Sequence, residues 1–274
     1  MRLIDSHAHL QLAPFRDEVE DVIAAARVAG VERILVPGVD VPTSEAALAL
    51  AEWVPGLQVA VGIHPHVAAS AGAAVRARIA ALAREPAVVA IGETGLDFDR
   101  AWSPIADQVD NLRWNLALAL ELGKPAVLHC RSKPGLRDAQ DALLEALAGA
   151  GFGGAAARQA FGDRPGAVLH SVSGPADYVA VALSLGCAVS VSGLAFRRGE
   201  EATAESVRLV PADRLLVETD APYLAPPGAP RRRNTPEWVR VTAAWLAAAR
   251  GDDPAMLGGR LVANHDRVFG PPAG

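Results

Sequence analysis

Eight times along the chain a short run of apolar, often β-branched residues is followed by a stretch with helical spacing. The runs are Leu3-Ile4, Arg33–Val36, Gln58–Gly62, Val88–Ile91, Ala126–Leu128, Ala167–Leu169, Cys187–Val191 and Arg214–Val217. Strands that are apolar throughout are covered on both faces, and strands that alternate with helices pair in parallel. Eight such units in 274 residues predict a single-domain α/β fold, a closed (β/α)8 TIM barrel over residues 1–270, with a frayed tail at 271–274. No glycine-rich turn follows the first strand, so an open dinucleotide-binding sheet has little support.

Within that repeat, Thr43 or Ser44 is expected to cap the second helix, which runs through Trp53. The glycine- and alanine-rich stretch 148–165 lacks a clear period and is expected to be an extended loop or insertion before the sixth strand. A long helix opened by Thr235-Pro236 and another over Pro254 to Phe269 are expected to finish the chain.

Hydrophobic residues make up 51%, enough for a large core, and the formal net charge is −5. An acidic balance argues against a broad surface for coating duplex DNA, where affinity comes from neutralised phosphates. It leaves room for a phosphate-bearing substrate, because bound divalent cations reverse the local sign. Two cysteines, Cys130 and Cys187, make no disulfide framework. With no leader pattern and no apolar run of bilayer length, the expectation is a cytoplasmic protein without membrane contact, acting as a monomer.

In such a barrel, chemistry is placed at the carboxyl ends of the strands. Those ends carry His7 and His9 (strand one), His64 and His66 (three), Glu93 (four), His129 (five), His170 (six) and Asp220 (eight). Of the seven histidines only His265 lies elsewhere, a distribution that chance would rarely produce. His7 and His9 stand at i and i+2, which on extended backbone share a face and can grip one cation.

A pair of divalent metals needs a bridging group, outer ligands and an open position for water. Glu93 can bridge with its two oxygens. His7, His9 and Asp220 can complete one metal where strands one and eight meet, and His129 and His170 the other. Lys124 precedes its strand and Lys133 lies beyond the loop, so neither is placed to bridge as a carboxylated lysine. His66 has a structural role or a substrate contact as equal alternatives. Cys130 points away from His129 and is read as packing, Arg131 can hold a phosphate at the rim, and one of Arg231, Arg232 and Arg233 can meet substrate.

These residues sit in blocks that resemble the TatD family of metal-dependent deoxyribonucleases, within the amidohydrolase-like barrels. The blocks are Asp5-Ser6-His7-Ala8-His9-Leu10, Gly62-Ile63-His64-Pro65-His66 and Ile91-Gly92-Glu93-Thr94-Gly95-Leu96-Asp97. Pro125 to Arg131, Leu169 to Gly174, Leu216 to Leu224, Asn234-Thr235-Pro236 and Asn264 to Gly270 follow in the family's order. The resemblance implies a divalent-metal phosphodiesterase with His7, His9, Glu93, His129, His170 and Asp220 as ligands and His64 near the substrate. One departure bears on substrate preference. After His170 the family usually continues Cys-Phe-Ser-Gly, whereas here Ser171-Val172-Ser173-Gly174 loses an aromatic that could pack on a nucleobase.

The leading expectation is hydrolysis of DNA phosphodiesters at single-stranded or frayed ends, through water activated by two divalent ions. Asp220 orients that water and takes its proton, Glu93 holds the ions together, and His64, His66, Arg131 and Arg233 contact substrate. Four imidazoles favour zinc or manganese over magnesium by ligand softness, although the family's nuclease activity is associated with magnesium. An ester, lactone or amide hydrolase on the same barrel is the alternative, favoured by the lost aromatic. A non-catalytic binding barrel is the weakest reading.

Overall fold

All eight apolar runs form strands, and a computed structural model, which describes residues 1–230 and 233–271, places them in one parallel sheet in chain order. They are β1 (Leu3–Asp5), β2 (Val31–Pro37), β3 (Leu57–Val61), β4 (Val88–Asp97), β5 (Ala126–Arg131), β6 (Ala167–Leu169), β7 (Cys187–Val191) and β8 (Leu215–Val217). Nearly every strand residue is buried, as the unbroken apolar runs require. The seam between β1 and β8 is closed at its carboxyl end. Ser6 N–H donates to Val217 O at 3.1 Å, Asp220 N–H to His7 O at 2.9 Å, and His9 N–H to Ala221 O at 2.8 Å. Across the same seam Thr219 gives its N–H and its hydroxyl to the two oxygens of buried Asp5, at 2.9 and 2.5 Å.

The helices of the outer ring are α1 (Val19–Val28), α2 (Val41–Trp53), α3 (Ala73–Leu82), α4 (Ile105–Leu122), α5 (Asp138–Ala150), α6 (Ala155–Phe161), α7 (Ala176–Ser184), α8 (Glu201–Leu209), α9 (Val239–Arg250) and α10 (Pro254–Phe269). Each strand is followed by one helix, with α6 and α10 added after α5 and α9. Helix α10 packs on β1, β2 and β8. Its Asn264 amide donates to Ala212 O and Leu215 O, each at 2.8 Å, fixing the strand that brings in Asp220. No helix among the described residues is long and apolar enough to cross a membrane.

Two sequence expectations are corrected. Helix α2 is capped by Asp40, which accepts from Thr43 N–H at 2.9 Å, while Thr43 Oγ1 accepts from the Asp40 N–H at 3.1 Å. The helix thus starts earlier, because Pro42 fits its first turn and Asp40 satisfies the free amides. The stretch 148–165 is not an extended loop. Ala155–Phe161 form α6, since a run of alanines with Arg158 and Gln159 is strongly helix-forming once glycines bound it on both sides. Phe161 packs near Phe152, with ring centroids 5.8 Å apart, and Arg164 reaches the carbonyls of Gly123 and Val268. The helix expected from Thr235-Pro236 opens with a single 3₁₀ turn, Pro236–Trp238, before α9 begins. Of the expected tail, only Pro271 lies within the described residues.

Strand β4 departs from regular pairing at one point. Ile91 pairs with Ala126 but Thr94 with Leu128, so β4 carries one extra residue across Gly92-Glu93. A bulge of this kind re-aims a side chain, and here it re-aims that of Glu93. Gly92 (φ 144°) and Gly95 (φ 142°) allow it. A Cβ at Gly92 would stand 2.6 Å from Val127 O, and one at Gly95 would collide with the His129 carbonyl.

Candidate metal centre

The side chains of His7 and His9 converge, with their Nε2 atoms 3.1 Å apart. His9 Nδ1 lies 3.2 Å from Pro37 O, an acceptor only, so Nδ1 carries the proton and Nε2 presents a lone pair. Glu93 Oε2 stands 3.2 Å from His7 Nε2 and 3.5 Å from His9 Nε2. Its other oxygen, Oε1, stands 3.2 Å from His129 Nδ1 and 3.8 Å from His170 Nε2. Each oxygen of one carboxylate therefore faces one pair of imidazoles. Asp220 Oδ1 adds a donor 3.5 Å from His9 Nε2 and 3.8 Å from His7 Nε2.

The remaining nitrogens of the second pair are also held. His129 Nε2 lies 3.3 Å from Asp97 Oδ2, and His170 Nδ1 lies 2.6 Å from Glu218 Oε1. A carboxylate on the far nitrogen orients the ring and turns the near nitrogen's lone pair inward. Atoms about 2.1 Å from a shared ion are separated by roughly 3–3.5 Å in tetrahedral geometry. The spacing, the inward lone pairs and the two carboxylates fit divalent cations, and three-residue groups drawn from this set bring their donor atoms within 4.8 Å of one another.

Charge is strongly coupled in this cluster. Burial opposes ionisation of Glu93, yet His64, His7 and His129 hold its carboxyl well below the usual range. Burial would lower His170, but Glu218 outweighs it and raises the imidazole. His9 and His129 are raised against burial in the same way, by Asp220 and Asp97 respectively, with Glu93 adding to both. His7 is lowered, because burial and repulsion from His170 outweigh the opposing pull of Glu93.

His64 is placed differently. Its Nδ1 accepts from His66 N–H at 3.1 Å, so its proton is on Nε2, which donates to Glu93 Oε1 at 3.2 Å. It braces Glu93 and presents no lone pair to a cation. Burial lowers its pKa to about 4. His66 Nε2 lies 2.7 Å from Asp97 Oδ2 and its ring lies against Trp102, centroids 4.2 Å apart. Cys130 points away from the cluster as expected, and burial pushes its thiol up to about 12.

The arginines are not drawn into the cluster. Arg131 Nε donates to Asp99 at 2.7 Å at the rim, and Arg233 is paired with Glu18. Arg231 and Arg232 lie outside the described residues. Two carboxylates escaped the sequence reading. Glu218 and Asp97 lie inside quoted blocks, but a strand-end carboxylate looks the same whether it caps, pairs or orients. The signal was their spacing, Glu218 two residues before Asp220 and Asp97 four after Glu93. Position 172 also reads differently. Val172 is 4% exposed and its N–H bonds to Ser190 O, so a side chain here packs inward and is no substrate surface.

A family model described as TatD related DNase matches residues 4–270. The 3′-5′ ssDNA/RNA exonuclease TatD of Klebsiella pneumoniae (strain 342) is 38% identical over 274 residues, covering 98% of each chain. A solved TatD homologue from Escherichia coli K12 superposes with a TM-score of 0.86 at 28% identity, over 99% of both chains. A TatD family hydrolase from Entamoeba histolytica, 17% identical with a TM-score of 0.83, shares the fold. With the match running from β1 through α10, and with full-length relatives above 30% identity, the chain belongs to the TatD-related DNase family.

Proposed function

We propose that the protein is a metal-dependent exonuclease that shortens single-stranded DNA or RNA from the 3′ end, using two divalent ions. The observation that carries this reading is the division of Glu93, one oxygen toward His7 and His9 and the other toward His129 and His170. His7, His9 and Asp220 are assigned to one ion, His129 and His170 to the other, and Glu93 to both. The polarity and substrate class follow the names of the full-length relatives. When bound, divalent ions lower the pKa of water and offset charge on a phosphoryl group.

The chain's own residues do the rest. Asp220, with its side chain partly open to the mouth, orients the attacking water and takes up its proton. Glu93 stays ionised because His64, His7 and His129 hold its carboxyl well below the usual range, and His64 steadies it. Asp97 and Glu218 fix the rings of His129 and His170. Arg131, held by Asp99, is assigned to the phosphate backbone at the rim, and His66 to a positioning contact there. All six assigned ligands come from one chain, which suits a monomer, and unpaired Cys130 and Cys187 suit a cytoplasmic setting. By donor softness manganese or zinc is favoured over magnesium. The acyl-hydrolase reading loses its support, because the missing aromatic falls at the buried position 172.

The test is metal-stripped protein on 3′- and 5′-labelled single-stranded oligonucleotides, with magnesium, manganese or zinc restored. Stepwise shortening from the 3′ end is expected. No cleavage by protein shown to bind two ions, together with turnover of aryl esters or lactones, would overturn the assignment.

A further inference from the structure

We infer that Trp102 is a stacking platform for a nucleobase of the substrate strand, set beside the metal centre by the loop between β4 and α4; this rests on the exonuclease reading. Trp102 is 70% exposed, an unusual position for the largest apolar side chain in a protein with room to bury it. Its neighbourhood is functional, since its ring lies 4.2 Å from that of His66, which shares Asp97 with His129.

The loop that presents it is fixed on both sides. Arg100 N–H donates to Asp97 Oδ1 at 2.8 Å and Ala101 N–H to Asp97 O at 3.2 Å. After the tryptophan, buried Ser103 gives its hydroxyl to His66 O at 2.9 Å, and its carbonyl accepts from Gln108 at 2.8 Å. The ring is thus exposed on an anchored loop, a preorganised surface whose ordering cost is already met before a ligand arrives.

Charge around it suits a nucleic-acid strand. The Arg100 guanidinium lies 5.9 Å from the ring centroid, and Asp99 of the same loop holds Arg131. An aromatic ring with an arginine beside it takes a base by stacking while the cation follows its phosphates. The other exposed rim aromatic, Tyr223 at 54%, follows β8, four strands away across the barrel, and its ring lies 6.1 Å from that of His9. The strand therefore meets Trp102 on the His129 side of the centre. A base inside a duplex has both faces covered by its neighbours and cannot use the platform, so the feature selects single strands.

The experiment pairs Trp102→Ala and Trp102→Phe with oligonucleotides carrying an abasic residue at each 3′-terminal position in turn. For intact DNA, Trp102→Ala is expected to raise KM about tenfold with kcat unchanged, and Trp102→Phe to stay within about threefold of wild type. At one position the abasic residue should cost wild type the same factor and cost Trp102→Ala nothing further. Equal abasic penalties in both proteins at every position would overturn the platform while leaving the exonuclease standing. A wild-type protein that cleaves no single strand with any ion would overturn the exonuclease reading and the platform with it.

Discussion

Nδ1 of His170 and Oε1 of Glu218 lie 2.6 Å apart, both side chains buried, and the same Oε1 accepts the N–H of Ser171 at 2.6 Å. One carboxylate thus fixes both the ring of an assigned ligand and the backbone that carries it. Glu218→Gln keeps the shape and removes the charge. Loss of such an orienting carboxylate typically weakens metal binding about 10–100-fold. Chelator competition should show one metal equivalent weakened by that factor and the other unchanged, with activity recovered at excess metal. Two unchanged equivalents would confine Glu218 to a backbone role.

Glu93 and Asp220 are separable from the fold. Neither makes a hydrophobic contact the barrel depends on, and the seam is carried by backbone bonds and by the pair Asp5 and Thr219. Glu93→Ala and Asp220→Ala are expected to lower hydrolysis by at least about 10³-fold, the scale for groups acting at the reacting centre. Circular dichroism should remain native. Hydrolysis retained by a folded, metal-replete variant would falsify the assignment.

Removing the ions should also cost stability, because a ligand bound only by the folded state stabilises it by mass action. At 100 times Kd the gain is about 2.7 kcal/mol, which for a chain of this size corresponds to roughly 5–10 °C in Tm. Thermal melts of stripped protein titrated with zinc, manganese and magnesium should give a concentration-dependent rise, largest for the ion bound most tightly. A Tm indifferent to all three would contradict a built metal site.

His265, the one histidine away from the centre, offers a pH test. Both its ring nitrogens are buried without a hydrogen-bond partner, and burial, with Arg33 adding to it, lowers its pKa to about 3. Unfolded, it titrates near about 6.5. Below that pH the unfolded chain binds a proton that the folded one refuses. As pH falls below about 6.5, stability therefore drops by about 1.4 kcal/mol per unit until the folded pKa is reached, and above about 6.5 the group adds no slope. His265→Leu removes this loss. Urea titrations should show the variant gaining about 2 kcal/mol on wild type between pH 7.5 and 5.0. Parallel profiles would mean that the ring is already paired or hydrated in the fold.

The barrel was legible because its strands are short, apolar and evenly spaced, and the histidines were legible because imidazoles at strand ends are rare. What escaped depends on partners far away in the chain. Nothing local tells that Glu218 meets His170, or that His64 turns its Nδ1 to a backbone amide and so gives Glu93 a proton donor. The glycines around α6 hid a helix whose alanines were sufficient once bounded. Arg131 and Arg233 show the same limit, since position near the rim does not tell that Asp99 and Glu18 pair with them.

The seam where Asp220 N–H meets His7 O has a consequence for how such a protein comes into being. Asp5 and Thr219, which stitch it, are 214 residues apart. A nascent chain carries His7 and His9 once its first strand is made, yet they lack the aspartate beside them until the eighth strand has been synthesised. A chain interrupted before its eighth strand can gather most of the histidines but cannot bring in Asp220. On the role proposed for Asp220, hydrolytic capacity is withheld from incomplete chains and arrives with the same backbone contacts that shut the ring.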